Sequence, residues 1–321
     1  MTVNFELDQQ QRDFAASIDA ALGAADVPGA VRAWAEGDTT PGRKVWAQLA
    51  DLGVTALLVP EELDGIGAHP VDLVVALERL GRWCVPGPVT ESIAVAPVLL
   101  GDDGRCAALA SGELVATVAM PPLVPRAVDA DTAGLILFAA DGQVHEGTAG
   151  EGHASVDLSR KLFDVTASGP GRSADVARAF ELGAVATAAQ LVGAGQAMLD
   201  AAVDYAKQRS QFGTVIGSYQ AIKHKLADVL IAIELARPLV YGAALALGDG
   251  SSDTARDVSA ATAAAADAAL LAARSALQTH GAIGFTQEHD LSLWLLRVQA
   301  LRSAWGHPTW HRRRVLEALT A

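Results

Sequence analysis

Only two cysteines, Cys84 and Cys106, occur in 321 residues. Two thiols cannot staple a chain of this length, so a disulfide scaffold is excluded and reduced thiols in a cytoplasmic protein are expected. No CxxC or Cys/His cluster offers a structural zinc site. Cations are scarce as well: 24 Lys and Arg stand against 37 Asp and Glu, a net charge of −13. Nucleic acid and anionic membrane surfaces need a positive face, so neither is expected as a partner. A phosphate-bearing ligand would have to be held by a few local cations against the overall field. Strongly apolar runs are missing too. The stretches 182–199 and 259–273 are built from Ala and Gly and carry Gln190, Gln196 and Asp267, whereas a spanning helix needs ~20 strongly apolar residues. The first residues, MTVNFELDQQQRDF, lack the basic-then-apolar order of a signal peptide. What the chain does have is 51% hydrophobic residues and 19% charged ones. That composition excludes a disordered tail protein, and the length exceeds one typical domain.

Common ligand motifs are absent. Gly65-Ile66-Gly67 and Gly193-Ala194-Gly195 both lack the third glycine of GxGxxG, which disfavours a Rossmann dinucleotide site. There is no GxxxxGK[ST], HExxH or GxSxG. A di-iron bundle needs ExxH on two helices, and no ExxH occurs. His307 and His311 have the i,i+4 spacing of a metal pair but no acidic companion, so they read as solvated surface histidines. No metal is expected.

Periodicity divides the chain. Asp8 and Gln11 form a capping-box pattern before Phe14, Ile18 and Leu22. Thr40-Pro41 reads as an N-cap with proline at the first helical position, and Gly53 stops the stripe Val45, Leu49, Leu52. Further helices are expected around 71–81 and 90–100. From about 112 the texture changes: LVATVAM (114–120) and GLILFA (134–139) are short apolar runs between Pro, Asp and Gly, and read as strands. About sixty residues is near the lower limit for a self-sufficient core, so this unit should lean on its neighbours. Helices are expected over 174–209, from 222 to 248, over 252–279 and over 289–304. Long helices with short connections predict an antiparallel four-helix bundle. The domains are therefore drawn as 1–112 (helical), 113–173 (small β) and 174–321 (bundle), in a mainly α fold.

Two segments resemble the acyl-CoA dehydrogenase family. One is Tyr205-Ala-Lys-Gln-Arg209-Ser-Gln211-Phe212-Gly213, followed by Gln220 and by Leu226-Ala227-Asp228; the family has Y-x-x-x-R-x-Q-F-G, then Gln, then L-A-D. The other is Gln278-Thr-His280-Gly281-Ala282-Ile283-Gly284-Phe285-Thr286, similar to Q-x-x-G-G-x-G-[YF]-T with Ala282 at the second glycine. Pro60–Gly67 also looks like the family's P-E-E-x-G-G-x-G. The chemistry fits without the family. Arg209 has a planar donor fork suited to a pyrophosphate. Gln211 and Gln220 suit adenine or ribose edges, Phe212 offers an apolar face, and Gly281 permits close approach. The plainer alternative is a helix–turn–helix corner with Phe212 in the core and Arg209 at the surface. Pattern alone favours that corner; the resemblance reverses the balance.

The resemblance implies α,β-dehydrogenation of an acyl-CoA: a carboxylate takes the α-proton and the β-hydride goes to the flavin N5 of FAD. It also implies that the Arg209 corner and the Gln278-Gly281-Ala282 loop hold the ADP half of FAD across a subunit interface. Two family features are missing. The usual base lies in a Tyr-Glu-Gly-Thr segment a few residues after the arginine matched by Arg297, and here Gly306 occupies the glutamate position, so no residue of this chain is assigned a catalytic role. Some members place the base before the first bundle helix near position 183, where Glu181 is the nearest acid; a dipole-favoured surface charge is its plainer reading. The β unit is about half the usual size, with Thr117–Pro122 where T-E-P-x-x-G-S-D stands in the family. The expectation is therefore a non-catalytic subunit paired with a catalytic acyl-CoA dehydrogenase subunit, similar to the smaller subunits of bacterial α2β2 steroid side-chain enzymes. Acyl-CoA would be the substrate, an electron-transfer flavoprotein the acceptor, and a degenerate acyl pocket would by analogy leave room for a polycyclic acyl group. The alternatives are a self-sufficient enzyme with Glu181 or another acid as base, and a flavin-free structural subunit.

Overall fold

The computed structural model describes residues 6–320. Six helices come first: α1 (Gln9–Ala24), α2 (Val27–Ala35), α3 (Thr40–Asp51), α4 (Pro70–Arg82), α5 (Ala96–Leu100) and α6 (Arg105–Ala110). A π-helical turn, Thr90–Val95, leads into α5. The capping box forms as the residues dictate: Asp8 accepts from the Gln11 N–H at 2.8 Å, and Gln11 accepts from the Asp8 N–H at 3.2 Å. Thr40 proves to be the first helical residue rather than the cap, because its N–H is taken by Asp38 at 2.9 Å.

The middle of the chain is a five-stranded sheet of β1 (Ala116–Ala119), β2 (Arg126–Val128), β3 (Leu135–Ala140), β4 (Gln143–His153) and β5 (Leu162–Ser173), in the order β1-β3-β4-β5-β2. The two apolar runs become the parallel pair β1–β3; the other pairings are antiparallel. The β4–β5 ribbon was not legible from hydrophobicity. Its strands, QVHEGTAGEGH and LFDVTASGPGRS, are polar, Gly-rich and largely exposed. As expected, the sheet leans on its neighbours: Val115, Val118, Leu135, Leu137 and Val144 belong to the same core as the helices.

Then follow α7 (Val176–Gln208), a two-residue ribbon of β6 (Ser210–Gln211) and β7 (Thr214–Val215), and the helices α8 (Gln220–Gly248), α9 (Thr254–His280), α10 (Leu291–Leu301) and α11 (Pro308–Thr320). The last was not foreseen; its first half is basic and its apolar residues do not form an evident stripe. The Ala/Gly texture of α7 serves close packing. A Cβ on Gly193 would lie 1.9 Å from the Glu78 carbonyl oxygen, so α4 and α7 cross with backbones in contact. Three helices, α7, α8 and the stretch 254–285, are long and apolar enough to cross a membrane by length and composition, which corrects the expectation from sequence. In α7 that apolar surface faces protein, with 89% of the stretch buried.

Both cysteines are buried, and burial pushes each thiol up to about 11. Neither is a nucleophile near neutral pH. His311 corrects the surface reading. It is fully buried, its Nε2–H donates to the Trp305 carbonyl at 2.9 Å, and its Nδ1 is 3.1 Å from the Ser259 hydroxyl. Burial lowers its pKa from 6.5 to about 4, with Arg314 adding to the fall. Asp129 is also buried, and burial raises it from 3.8 to about 6. The two act in opposite directions. Between pH 6.5 and 4 the unfolded chain protonates His311 and the folded one does not, so acid removes stability. Between pH 6 and 3.8 the folded chain protonates Asp129 and the unfolded one does not, so acid adds stability. Each contributes about 3 kcal/mol. His311→Gln is therefore expected to gain about 3 kcal/mol relative to its own neutral-pH value as pH falls from 6.5 to 4, and Asp129→Asn to lose about as much. Urea unfolding at several pH values reads both slopes; equal slopes in the two variants would refute the assignment.

Candidate functional site

One end of the bundle collects both motif segments. α7 ends at Gln208, and the chain turns through β6–β7, with Ser210 facing Val215 and Gln211 facing Thr214. Phe212 and Gly213 form the tip, both in left-handed conformations (φ +52° and +83°). Two consecutive positive φ angles make the tight turn that suits a two-residue hairpin. The ribbon is held from behind: the Ile216 N–H donates to the Arg209 carbonyl at 2.8 Å, and the Tyr219 hydroxyl donates to the Gln211 carbonyl at 3.1 Å.

Phe212 is not in the core. It is 95% exposed, in a conformation that costs a non-glycine residue about 1–2 kcal/mol. An aromatic ring held outward by strained backbone is a feature of contact sites rather than of plain corners. Arg209, Gln211 and Gln220 are exposed, and their side chains have no hydrogen-bond partner among the described residues.

The second segment lies beside the first. The Tyr205 and His280 rings stack at 4.4 Å, pinning the end of α7 to the end of α9. Lys225 on α8 donates to the Gln278 side-chain oxygen. Gly281 ends α9 with φ +69°, and a Cβ there would meet nothing within 4 Å. Ala282 is exposed, as are Ile283 (49%) and Phe285 (72%). All seven candidate binding residues thus share one surface. Sequence reasoning missed Lys225 and the Tyr205–His280 clasp. Tyr205 and His280 lay inside the quoted segments and Lys225 directly before Leu226, but pairing across 53 and 75 residues is decided by helix packing.

The two positions at which the family resemblance expects a base are both packed against other side chains. Gly306 has φ +99°, and a Cβ there would lie 2.7 Å from His311 Nε2. Position 183 falls inside α7 rather than before it, and holds a glycine whose Cβ would lie 2.3 Å from the Trp305 ring. Trp305 is 1% exposed and donates to the buried Glu91 carboxylate at 3.3 Å. The cavity between Glu91, β2 and the end of α10 measures about 160 Å³, below the range of roughly 300–1,000 Å³ typical of small-molecule sites. Arg297, 2% exposed, anchors α10. It bonds Asp157 at 2.5 Å, the Val85 carbonyl at 2.8 Å and Ser159 at 3.1 Å. Burial alone would raise Asp157, but the Arg297 guanidinium more than offsets it and holds the carboxyl below its ordinary value. Gly306→Glu is expected to lower stability by about 2–5 kcal/mol, from strained φ and overpacking. It is expected to create no dehydrogenase activity in this chain. Thermal unfolding and a dye-reduction assay with acyl-CoA check both; a stable, active variant would contradict the closed site.

Glu181 lines a cavity of about 530 Å³ between the sheet and the start of α7, with Phe180, Trp310 and the Pro121–Pro122 turn. Both of its oxygens are held by Arg314, one at 3.0 Å. Burial raises its pKa more than Arg314 lowers it. A carboxylate clamped on both oxygens is not a free base, so the structure does not favour Glu181 in that role. Glu151, His153 and Asp164 bring ligand atoms within 4.8 Å of one another. Asp164, however, is paired with Arg126 at 2.8 Å, a positive charge where a cation would sit.

Comparison with known proteins gives a consistent result. The model of the acyl-CoA dehydrogenase C-terminal domain matches residues 173–320, and that of the N-terminal domain matches 8–101. The acyl-CoA dehydrogenase IpdE2 of Mycobacterium tuberculosis is 32% identical over 84% of this chain and 85% of its own. FadE34 of the same organism, also named an acyl-CoA dehydrogenase, is 36% identical over 87% of this chain, which spans only 42% of that longer protein. Among solved structures, the ChsE4-ChsE5 complex of M. tuberculosis superposes with a TM-score of 0.86 at 21% identity over 99% of both chains. A steroid enzyme, Tcur3481-Tcur3483 in its G363A variant, superposes at 0.84 and 20% identity over 97% of this chain and 98% of its own.

Proposed function

Since the chain belongs to the acyl-CoA dehydrogenase family of FAD-dependent oxidoreductases, we propose that it is the non-catalytic subunit of a heteromeric member, presenting an ADP-binding half-site to the FAD of a catalytic partner. One contrast carries this reading: the outward corner is free and strained into place, while the chain's own base position is sealed. Arg209 would grip the pyrophosphate through its fork, and Gln211, Gln220 and Gln278 would read the adenosine edges. Phe212 would cover an apolar face, and Gly281-Ala282 would let the backbone approach closely. When bound, FAD supplies the acceptor for the hydride leaving the acyl β-carbon. The carboxylate that removes the α-proton belongs to the partner, because Gly183 and Gly306 leave no space for one here.

The relatives support the heteromeric and steroid parts of this reading. Two of the superposing structures pair two differently named proteins, and one is a steroid enzyme. The family resemblance supplies the rest of this reading: an α2β2 assembly in the cytoplasm acting on a steroid side-chain CoA thioester, with an electron-transfer flavoprotein as acceptor. A self-sufficient enzyme needs a free base, and Glu181 is clamped. A flavin-free subunit leaves the unpaired Arg209 fork and the strained Phe212 without a purpose. Cofactor stoichiometry is the test. Co-expression with a family member that carries the loop glutamate is expected to give one FAD per heterodimer. A flavin-loaded, active homomer of this chain alone would overturn the proposal.

A further inference from the structure

The turn between β4 and β5, residues 154–161, buries a cation that the nucleotide corner does not use. Arg160 is only 4% exposed, yet its side chain makes no hydrogen bond or ion pair among the described residues. A buried charge without a partner is costly, and cations are scarce in this chain. The acids near Arg160 are engaged elsewhere. Asp157 bonds Arg297 at 2.5 Å, and Asp129 accepts from the Lys161 N–H at 2.8 Å and from the Trp34 ring N–H at 3.2 Å. Both carboxylates lie close enough to feel the Arg160 charge, but neither satisfies its donors. Glu91 shares the 160 Å³ cavity with Arg160 and forms no ion pair with it.

Arg160 also lines a second, larger cavity of about 430 Å³ at the β4–β5 turn. That volume falls within the range of roughly 300–1,000 Å³ typical of small-molecule sites. None of the guanidinium nitrogens is among the side-chain atoms shut off from solvent without a partner, so the donors reach open space. Ser155, on the same cavity, accepts from the Asp157 N–H at 3.3 Å, which leaves its hydroxyl proton to donate. Lys161 adds a second cation, and Asp131 at 3.2 Å takes only one of its ammonium protons. Phe163 and Leu158 supply apolar walls. A donor fork, a hydroxyl and an ammonium together select an oxyanion, and the guanidinium plane matches carboxylate and phosphate alike. The space exceeds what a bare ion fills, and the aromatic wall suits an organic body behind the charge. We propose that this cavity binds a small organic oxyanion, a carboxylate or a phosphate monoester with an apolar body, whose charge pairs with Arg160. The site uses no residue of the nucleotide corner, so it stands or falls apart from the function proposed above.

Calorimetric titration of the full chain with benzoate and with phenyl phosphate tests this, with benzamide as the neutral counterpart. One or both anions are expected to bind at least about tenfold more tightly than benzamide, and the tighter of the two tells carboxylate from phosphate. Arg160→Met is expected to weaken that binding at least about tenfold, the lower end for a charge-assisted hydrogen bond. Its melting temperature without ligand should equal or exceed that of the wild type, because no internal partner is left stranded. Ala154→Leu keeps Arg160 but fills the cavity from another lining residue, so it should abolish binding as well. Arg209→Ala should bind as the wild type does. If neither anion binds, if benzamide binds equally well, or if either folded cavity variant binds like the wild type, the inference fails. If Arg209→Ala loses the binding instead, the probe occupies the nucleotide corner; this inference then fails while the proposed function stands.

Discussion

Arg209→Ala in the co-expressed complex is expected to weaken FAD binding by about 2–4 kcal/mol, or about 30- to 900-fold, without unfolding either chain. The size follows from removing a charge-assisted, two-pronged donor from an anion that assembly has largely desolvated. The absence of unfolding follows from the structure: the guanidinium is exposed and has no partner among the described residues, so its loss leaves nothing buried and unpaired. Arg209→Lys should recover part of the loss, because charge returns but the planar fork does not. Titration of apo-complex with FAD, followed by flavin fluorescence, measures all three proteins. Binding within about threefold of wild type for Arg209→Ala would remove the basis of the proposed function.

The second large effect is on stability. Asp157→Asn and Arg297→Met are each expected to lower the free energy of unfolding by about 3–5 kcal/mol, the cost of leaving one buried charge without its partner. Asp157 also accepts from the N–H and hydroxyl of Ser159, and Arg297 also donates to Val85, so the pair ties the β4–β5 turn and the segment after α4 to α10. The double variant Asp157→Leu/Arg297→Met should recover much of the single-variant loss, since a well-packed apolar pair can replace a buried ion pair. Denaturant unfolding with a common m-value tests this. Losses under about 1 kcal/mol in both single variants would show that the pair is solvated.

Much of the site was legible because its recognition residues are close in sequence. Arg209, Gln211, Phe212 and Gln220 fall within twelve positions, and a turn flanked by long helical periodicity can only be a corner. The helices from 9 to 24 and from 176 to 280 were legible for a related reason: capping chemistry and a 3.6-residue apolar period act within a few turns. The β4–β5 ribbon was not, since its strands are polar and their pairing satisfies backbone groups rather than burying side chains. Nor was α11, or the burial of His311, which looked like a surface residue beside three arginines until the fold placed it between Trp305 and Ser259.

Sequence by itself determined the mainly helical architecture, the family and the absence of a glutamate at position 306, because residue identity and local period carry that information. Tertiary structure alone decided that Gly306 and Gly183 are packed shut by His311 and Trp305, that Arg314 clamps Glu181, and that Phe212 points outward. Gly183 meets Trp305 and Glu181 meets Arg314 across more than 120 residues, His311 is set over Gly306 by its bond to Ser259, 52 residues away, and the side of the surface on which Phe212 lies is fixed by the packed corner; no local pattern encodes these.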